Sequence, residues 1–332
     1  MSGEQDREFV RPDVRAFVDQ MAAAPKADMR DAGIESLREG YRSMSAAMDA
    51  PVGDIAVMRD HLLQCGSGRS IPVRLFDSRE DRGPGPAVVF CHGGGFVFGD
   101  LDTYAPLCAE MARGLDLPVI AIDFRLAPEH PWPAAPDDVE EAARKIADQP
   151  EIFGRHFTSL VLAGDSAGAA LAAVTAIALR DDPAALPVSA LCLAYPTTDL
   201  FGEYPSAKEL DGRFMTSVAK FGWLVEQYAP DEKHWRAAPM LADLRGLPHV
   251  LVMPARLDPF RDQGRAFAAA CIDAGVTVTY REAPGTIHGH LCFRSAIPSA
   301  KDDMACWLNA ITAIIGEWNQ QGPRPGVPDG SE

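Results

Sequence analysis

The stretch Leu160 to Val174, LVLAGDSAGAALAAV, runs an apolar segment into a small-residue helix across Gly164-Asp165-Ser166-Ala167-Gly168. The G-x-S-x-G pattern carries weight because of its flanks, a short strand-like run before it and alanines at 169, 170, 172 and 173 after it. A serine at the tip of such a turn sits in strained backbone, and the two glycines remove side chains that would strike the strand or the helix. The pattern predicts an exposed serine at the C-terminal edge of a sheet. The helix N-terminus behind it favours developing negative charge.

Outward from this turn the chain alternates short apolar runs with helical spacing. Strands are expected near 56–64, 71–77, 87–91, 119–123, 159–163, 189–193, 250–254 and 276–281, and helices at 102–115, 137–148, 167–180, 262–274 and 299–317. From the third strand on, the runs are almost continuously apolar, which marks a parallel sheet covered on both faces. The first two, joined by CGSGRS at 65–70, predict an antiparallel hairpin at one edge. Before the sheet, Val14, Phe17, Val18 and Met21, and then Ile34, Leu37, Tyr41, Met44 and Met48, recur at helical steps. More than fifty residues separate the sixth and seventh strands, and within them 207–236 is rich in aromatic residues, as a lid would be. The expectation is an α/β sheet of about eight strands, doubly wound, with helices to spare.

The bulk composition narrows the function. Lys and Arg number 31 against 47 Asp and Glu, a formal charge of −16. Such a surface repels phosphate backbones and anionic membranes, so neither nucleic acid nor membrane is an expected partner. No run approaches the roughly 20 apolar residues that span a bilayer. The N-terminus lacks the apolar stretch of a signal peptide, and the seven cysteines are scattered without a Cys-x-x-Cys pair. These features read as a cytoplasmic protein with reduced cysteines.

A serine hydroxyl needs a base to take its proton and an acid to orient the base, and on such a sheet both follow the serine in sequence, acid first. Asp258, in MPARLDPFRDQG, comes just after the strand at 250–254, at the edge where Ser166 stands. Asp262 is its rival, better placed to cap the next helix. His288 lies in REAPGTIHGH after the last strand. His290 makes a His-x-His pair with it, but no third ligand stands at metal-site spacing, so no metal is expected and His290 reads as a pocket or local hydrogen-bonding residue. His92 precedes the serine and reads as a support for the glycines beside it.

Those glycines, in VVFCHGGGFVFGD at 88–100, do not form a phosphate cradle. Counted from Gly93 and Gly95, G-x-G-x-x-G would need glycine at Phe98, and no Gly-Lys-Ser/Thr follows. After the third strand they suit an oxyanion loop, with two donors drawn from Gly93, Gly94 and Gly95 and a third from the N–H of Ala167.

With HGGGF at 92–96, FRLAPEHPWPAAPDD at 124–138, GDSAG at 164–168, DPFRD at 258–262 and HG at 288–289, the chain resembles the hormone-sensitive-lipase-like (bacterial family IV) carboxylesterases. The motifs keep the family's order from about residue 56 to 317. The resemblance implies an α/β-hydrolase fold under a helical cap, with Ser166 as nucleophile, His288 as base and Asp258 as its orienting acid. It implies N-terminal cap helices in 1–55, a catalytic core in 56–200 and 246–320 and a cap insertion in 201–245, while the Gly- and Pro-rich end at 321–332 reads from its composition as a disordered tail. The chain departs from the family pattern at Ala169, Phe124 and His290. Arg125, Glu129 and Asp137 of the proline-rich motif are expected to pair with one another, with cis X-Pro bonds among its prolines.

The implied reaction is hydrolysis of short- to medium-chain esters through an acyl-enzyme, without metal or organic cofactor. Small uncharged esters suit the acidic surface, and Phe96, Phe214, Trp223 and Leu291 are candidate pocket residues. The family often dimerises, so a homodimer is expected. Two other readings stand beside this one: an amidase or deacetylase on the same fold, and a silent ligand receptor like the plant gibberellin receptors, which lack the histidine present here as His288.

Overall fold

The structure, a computed structural model, describes residues 8–23, 29–66 and 68–321. The expected tail at 321–332 lies outside the described residues from 322 onward.

All eight expected strands are present in one sheet. β1 (Val57–Gln64) and β2 (Ser70–Asp77) form the antiparallel edge hairpin, and β2 pairs antiparallel with β4 (Val119–Ile122). The rest is parallel: β3 (Gly85–Cys91), β5 (Phe157–Asp165), β6 (Val188–Ala194), β7 (His249–Met253) and β8 (Val278–Tyr280), in the order β1-β2-β4-β3-β5-β6-β7-β8.

Alternation along the strands feeds two cores. Val89 and Cys91 of β3 and Leu160 and Leu162 of β5 face one core, while Val88, Phe90, Val161 and Ala163 face the other. The first is closed by α4 (Ala134–Asp148), α5 (Ala167–Asp181) and α8 (Arg261–Asp273). The second is closed by α3 (Ala105–Leu115) and α9 (Ala300–Gln321). Strands buried on both sides cannot alternate apolar with polar residues, which is why they read as continuous apolar runs.

α5 is buried on every side from Ala167 to Leu179. Its alanines keep it thin enough to fit between the sheet and α4. At its first turn a Cβ on Gly168 would lie 2.0 Å from Cys91 O, so only glycine lets α5 touch the end of β3.

The helices outside the βα rhythm gather at the C-terminal edge of the strands. α1 (Pro12–Ala23) docks on α9: Arg11 Nη1 and Nη2 donate to the Asp303 carboxylate at 2.6 and 2.8 Å, and Asp13 Oδ2 accepts from Ser299 N–H. α2 (Ile34–Met48) reaches the glycine loop, where Arg38 Nε donates to Val97 O at 3.0 Å. The long interval after β6 holds α6 (Pro205–Glu209) and α7 (Val218–Tyr228).

Just past α2, Asp49 receives Arg294 Nε and Nη2 at 2.8 and 2.9 Å, with both side chains 3% exposed. This pair ties α2 to the loop that carries His288. Breaking a buried pair strands one charge, so Arg294→Ala is expected to cost about 3–5 kcal/mol of unfolding free energy in a denaturant titration. A change under about 1 kcal/mol would show that the tie does not hold this loop.

The proline-rich motif contains cis Ala127–Pro128 and Trp132–Pro133 bonds. Arg125, Glu129 and Asp137 do not pair with one another as expected. Arg125 pairs with Asp138 at 2.8 Å, Glu129 with Arg38 of α2 at 2.6 Å, and Asp137 with Arg236 of the long insertion at 2.7 Å. The segment thus bridges α4, α2 and the long insertion, each charge meeting a partner on a different element.

Candidate active site

Ser166 occupies the turn between β5 and α5 with φ 52° and ψ −120°, a conformation that costs a non-glycine residue about 1–3 kcal/mol. Its N–H donates to Ala194 O at 3.0 Å, holding the turn against the end of β6. Its Oγ–H donates to His288 Nε2 at 2.8 Å, and His288 Nδ1–H donates to Asp258 Oδ2 at 2.6 Å. The structure thus brings all three residues into one hydrogen-bonded line. Asp258 is fully buried, and its other oxygen accepts Phe260 N–H at 2.9 Å.

The pKa of His288 lies above its ordinary 6.5: burial pulls it down, but the charge of Asp258 and the hydrogen bond to it outweigh that pull. Asp262 is turned away from His288. Its Oδ2 accepts Ser206 N–H at the start of α6, and its Oδ1 takes Arg261 and Arg265. It braces α6 from the first turn of α8 rather than capping its own helix.

The glycine loop stands opposite. Gly93 N–H is already spent on Asp165 Oδ1 at 2.7 Å, so it does not point at Ser166. Asp165 is itself pushed up to about 6 by burial, against the opposing pull of this hydrogen bond. Gly94 and Gly95 N–H meet no protein acceptor among the described residues, and Ala167 N–H heads α5, where no carbonyl precedes it within the helix. Gly94 has φ 113°, and a Cβ there would lie 2.2 Å from Phe98 O, so the loop closes only with glycine. His92 supports it as expected from the sequence: Nδ1–H donates to Gly93 O at 2.8 Å, and the ring stacks on Phe124.

Ser166, His288, Gly94 and Gly95 floor a cavity of about 270 Å³. Tyr41 and Met44 of α2, Phe221 and Leu224 of α7, and Phe98 and Phe260 form its apolar walls. None of the four candidate pocket residues lies on this wall. Phe96, at φ 65°, turns back to stack on Tyr228 with centroids 3.9 Å apart. Trp223 packs against the α5 core, Phe214 is buried beside Arg15 and Arg213, and Leu291 is fully buried below the site. His290 is not on the wall either, since its Nδ1–H donates to Ile287 O at 2.9 Å.

Among the described residues no group of His, Cys, Asp or Glu is arranged to hold a metal ion, and no helix is long and apolar enough to cross a membrane. All seven cysteines are unpaired.

A parallel sheet that carries serine on a strained strand-to-helix turn, with aspartate and histidine on the loops after later strands, defines an α/β hydrolase. The profile of the α/β-hydrolase fold family matches residues 88–292. Over 91% of this chain and 98% of its own length, an ethyl acetate hydrolase from Pseudomonas putida is 29% identical. The carboxylesterase NlhH of Mycobacterium tuberculosis is 36% identical over 74% of this chain and 79% of its own. A solved α/β-hydrolase enzyme from the metagenome of Lake Arreo, Spain, superposes with TM-score 0.86 at 33% identity, covering 93% of this chain and 99% of that one. The chain belongs to the α/β-hydrolase fold family and, within it, to the hormone-sensitive-lipase-like carboxylesterases; it is a carboxylic ester hydrolase by class.

Proposed function

We propose that this protein hydrolyses short- to medium-chain, uncharged carboxylic esters by two-step acyl transfer on Ser166. The observation that carries the reading is the Ser166–His288–Asp258 line, whose serine and histidine stand on the floor of a mostly apolar cavity with the aspartate buried behind them. Ser166 Oγ attacks the ester carbonyl while His288 Nε2 takes its proton. Asp258 holds the ring so that Nδ1 keeps its hydrogen and stabilises the imidazolium that forms. The tetrahedral oxyanion is received by the N–H groups of Ala167, Gly94 and Gly95. Each such donor is worth about 10²–10³ in rate where water is excluded. His288 then returns the proton to the leaving alkoxide, and a water activated by the same nitrogen releases the acid.

In this reading the N-terminal helices within 1–55 and the insertion at 201–245 act together as the cap, since both line the cavity. The cavity's size and its mostly apolar lining, in which Lys220 and Asp165 stand among aromatic and aliphatic side chains, support small neutral esters, and the Pseudomonas putida relative is an ethyl acetate hydrolase. Matched p-nitrophenyl acetate and p-nitroacetanilide test the bond. The ester should turn over and the anilide should not; equal rates would make this an amidase.

The base must be neutral to accept from Ser166. As the pH falls through the raised pKa of His288, Nε2 gains a proton and activity is lost, so the acid limb of kcat/KM is expected to centre above 6.5. A pH–rate profile centred below 6.5 would contradict this assignment of the base.

A further inference from the structure

Beside the active-site cavity lies a second one, of about 350 Å³, between α7, α6 and the start of α8. Leu200, Val218, Val225, Ala229 and Pro230 give it an apolar lining, while Glu226 and Glu232 also border it. Two residues, Phe221 and Phe260, line both cavities. Their rings meet with centroids 4.5 Å apart at 53°, so the pair forms the wall between the chambers.

The two halves of this wall are held differently. Phe260 is 4% exposed, stands edge-on to His288 with centroids 5.4 Å apart, and its N–H is bound to Asp258. It cannot move without disturbing the acid. Phe221 rides on α7 and is only half-buried.

We propose that Phe221 is a partition that sets the chain length of the substrate, and that the chamber behind it is a blocked subsite for the distal methylenes of a neutral aliphatic ester. This rests on the ester-hydrolase reading above. The chamber lining suits alkyl groups, and its two carboxylates disfavour a tail ending in a carboxylate.

Gly222 supplies the control. It lines the second chamber but not the first, and a Cβ placed there meets nothing within 4 Å. Leucine at this position projects into the second chamber from the helix backbone, and it is a better helix former than glycine.

The test compares kcat/KM for p-nitrophenyl decanoate and acetate. Each buried methylene is worth about fourfold in transfer. Phe221→Ala is therefore expected to raise the decanoate-to-acetate ratio by at least about tenfold. Gly222→Leu alone should leave the ratio unchanged, and the double variant should lose the gain. An unchanged ratio in Phe221→Ala, a gain that survives in the double variant, or a shift caused by Gly222→Leu alone would each overturn the proposal. Should Phe221→Ala fail to fold, Phe221→Leu is expected to move the ratio the same way by less, and no movement there overturns the proposal equally. Decanol binding by calorimetry should follow the same order across the variants. That reads the partition even if the wild type hydrolyses no ester, a result that would sink the functional reading alone.

Discussion

Ser166→Ala is expected to lower kcat for p-nitrophenyl acetate by about 10⁴-fold or more while leaving the unfolding curve nearly unchanged. The hydroxyl removed is the atom that donates to His288 Nε2 at 2.8 Å, on a cavity floor that Ser166 shares with Gly94 and Gly95. Alanine must adopt the same φ of 52°, held there by the Ser166 N–H bond to Ala194 O and by Gly168 against β3, so the turn stays as strained as before. The residual activity expected is that of the proposed oxyanion donors and of binding. A drop under about tenfold, in protein free of wild-type contamination, would place the chemistry elsewhere.

Asp258→Asn is expected to cost about 10⁴-fold in kcat, because an amide can donate to Nδ1 and so favours the tautomer whose Nε2 carries the hydrogen. In that tautomer His288 can no longer accept from Ser166. Asp262→Asn is the control. Its carboxylate braces Ser206, Arg261 and Arg265, so its loss should lower the midpoint of unfolding while kcat changes by less than about tenfold. The opposite pattern, a silent Asp258 and an essential Asp262, would exchange the two roles.

How much of this was legible depends on how local each feature is. The turn at Ser166 could be read from the sequence because its demands are met within five residues by glycines that no other residue replaces. The inner strands β3 to β7 could be read because burial on both faces leaves mostly apolar residues. The proposed acid and base followed from chain order together with their places just after the seventh strand and the last, and Asp258, His288 and Ser166 meet in one line.

The pocket walls were not legible, because a helical aromatic declares its size but not its direction. Phe221 and Leu224 share the face of α7 that lines the cavity, while Trp223, between them in sequence, points to the core. Phe96 was misleading for a related reason: its positive φ, invisible in the sequence, sends the ring toward Tyr228. Gly93 is equivalent to Gly94 and Gly95 in the sequence, but Asp165, distant along the chain, holds its N–H. The partners of Arg125, Glu129 and Asp137 were missed because each lies on another element.

The central claim is that Ser166 carries the acyl group of an ester. A p-nitrophenyl alkylphosphonate of short chain, incubated with the wild-type protein and followed by peptide mass spectrometry, tests this directly. The account predicts one equivalent of p-nitrophenol released, one phosphonyl group on Ser166, and loss of esterase activity in proportion to labelling. Activity that persists in fully labelled protein, or a label on another residue, would contradict it.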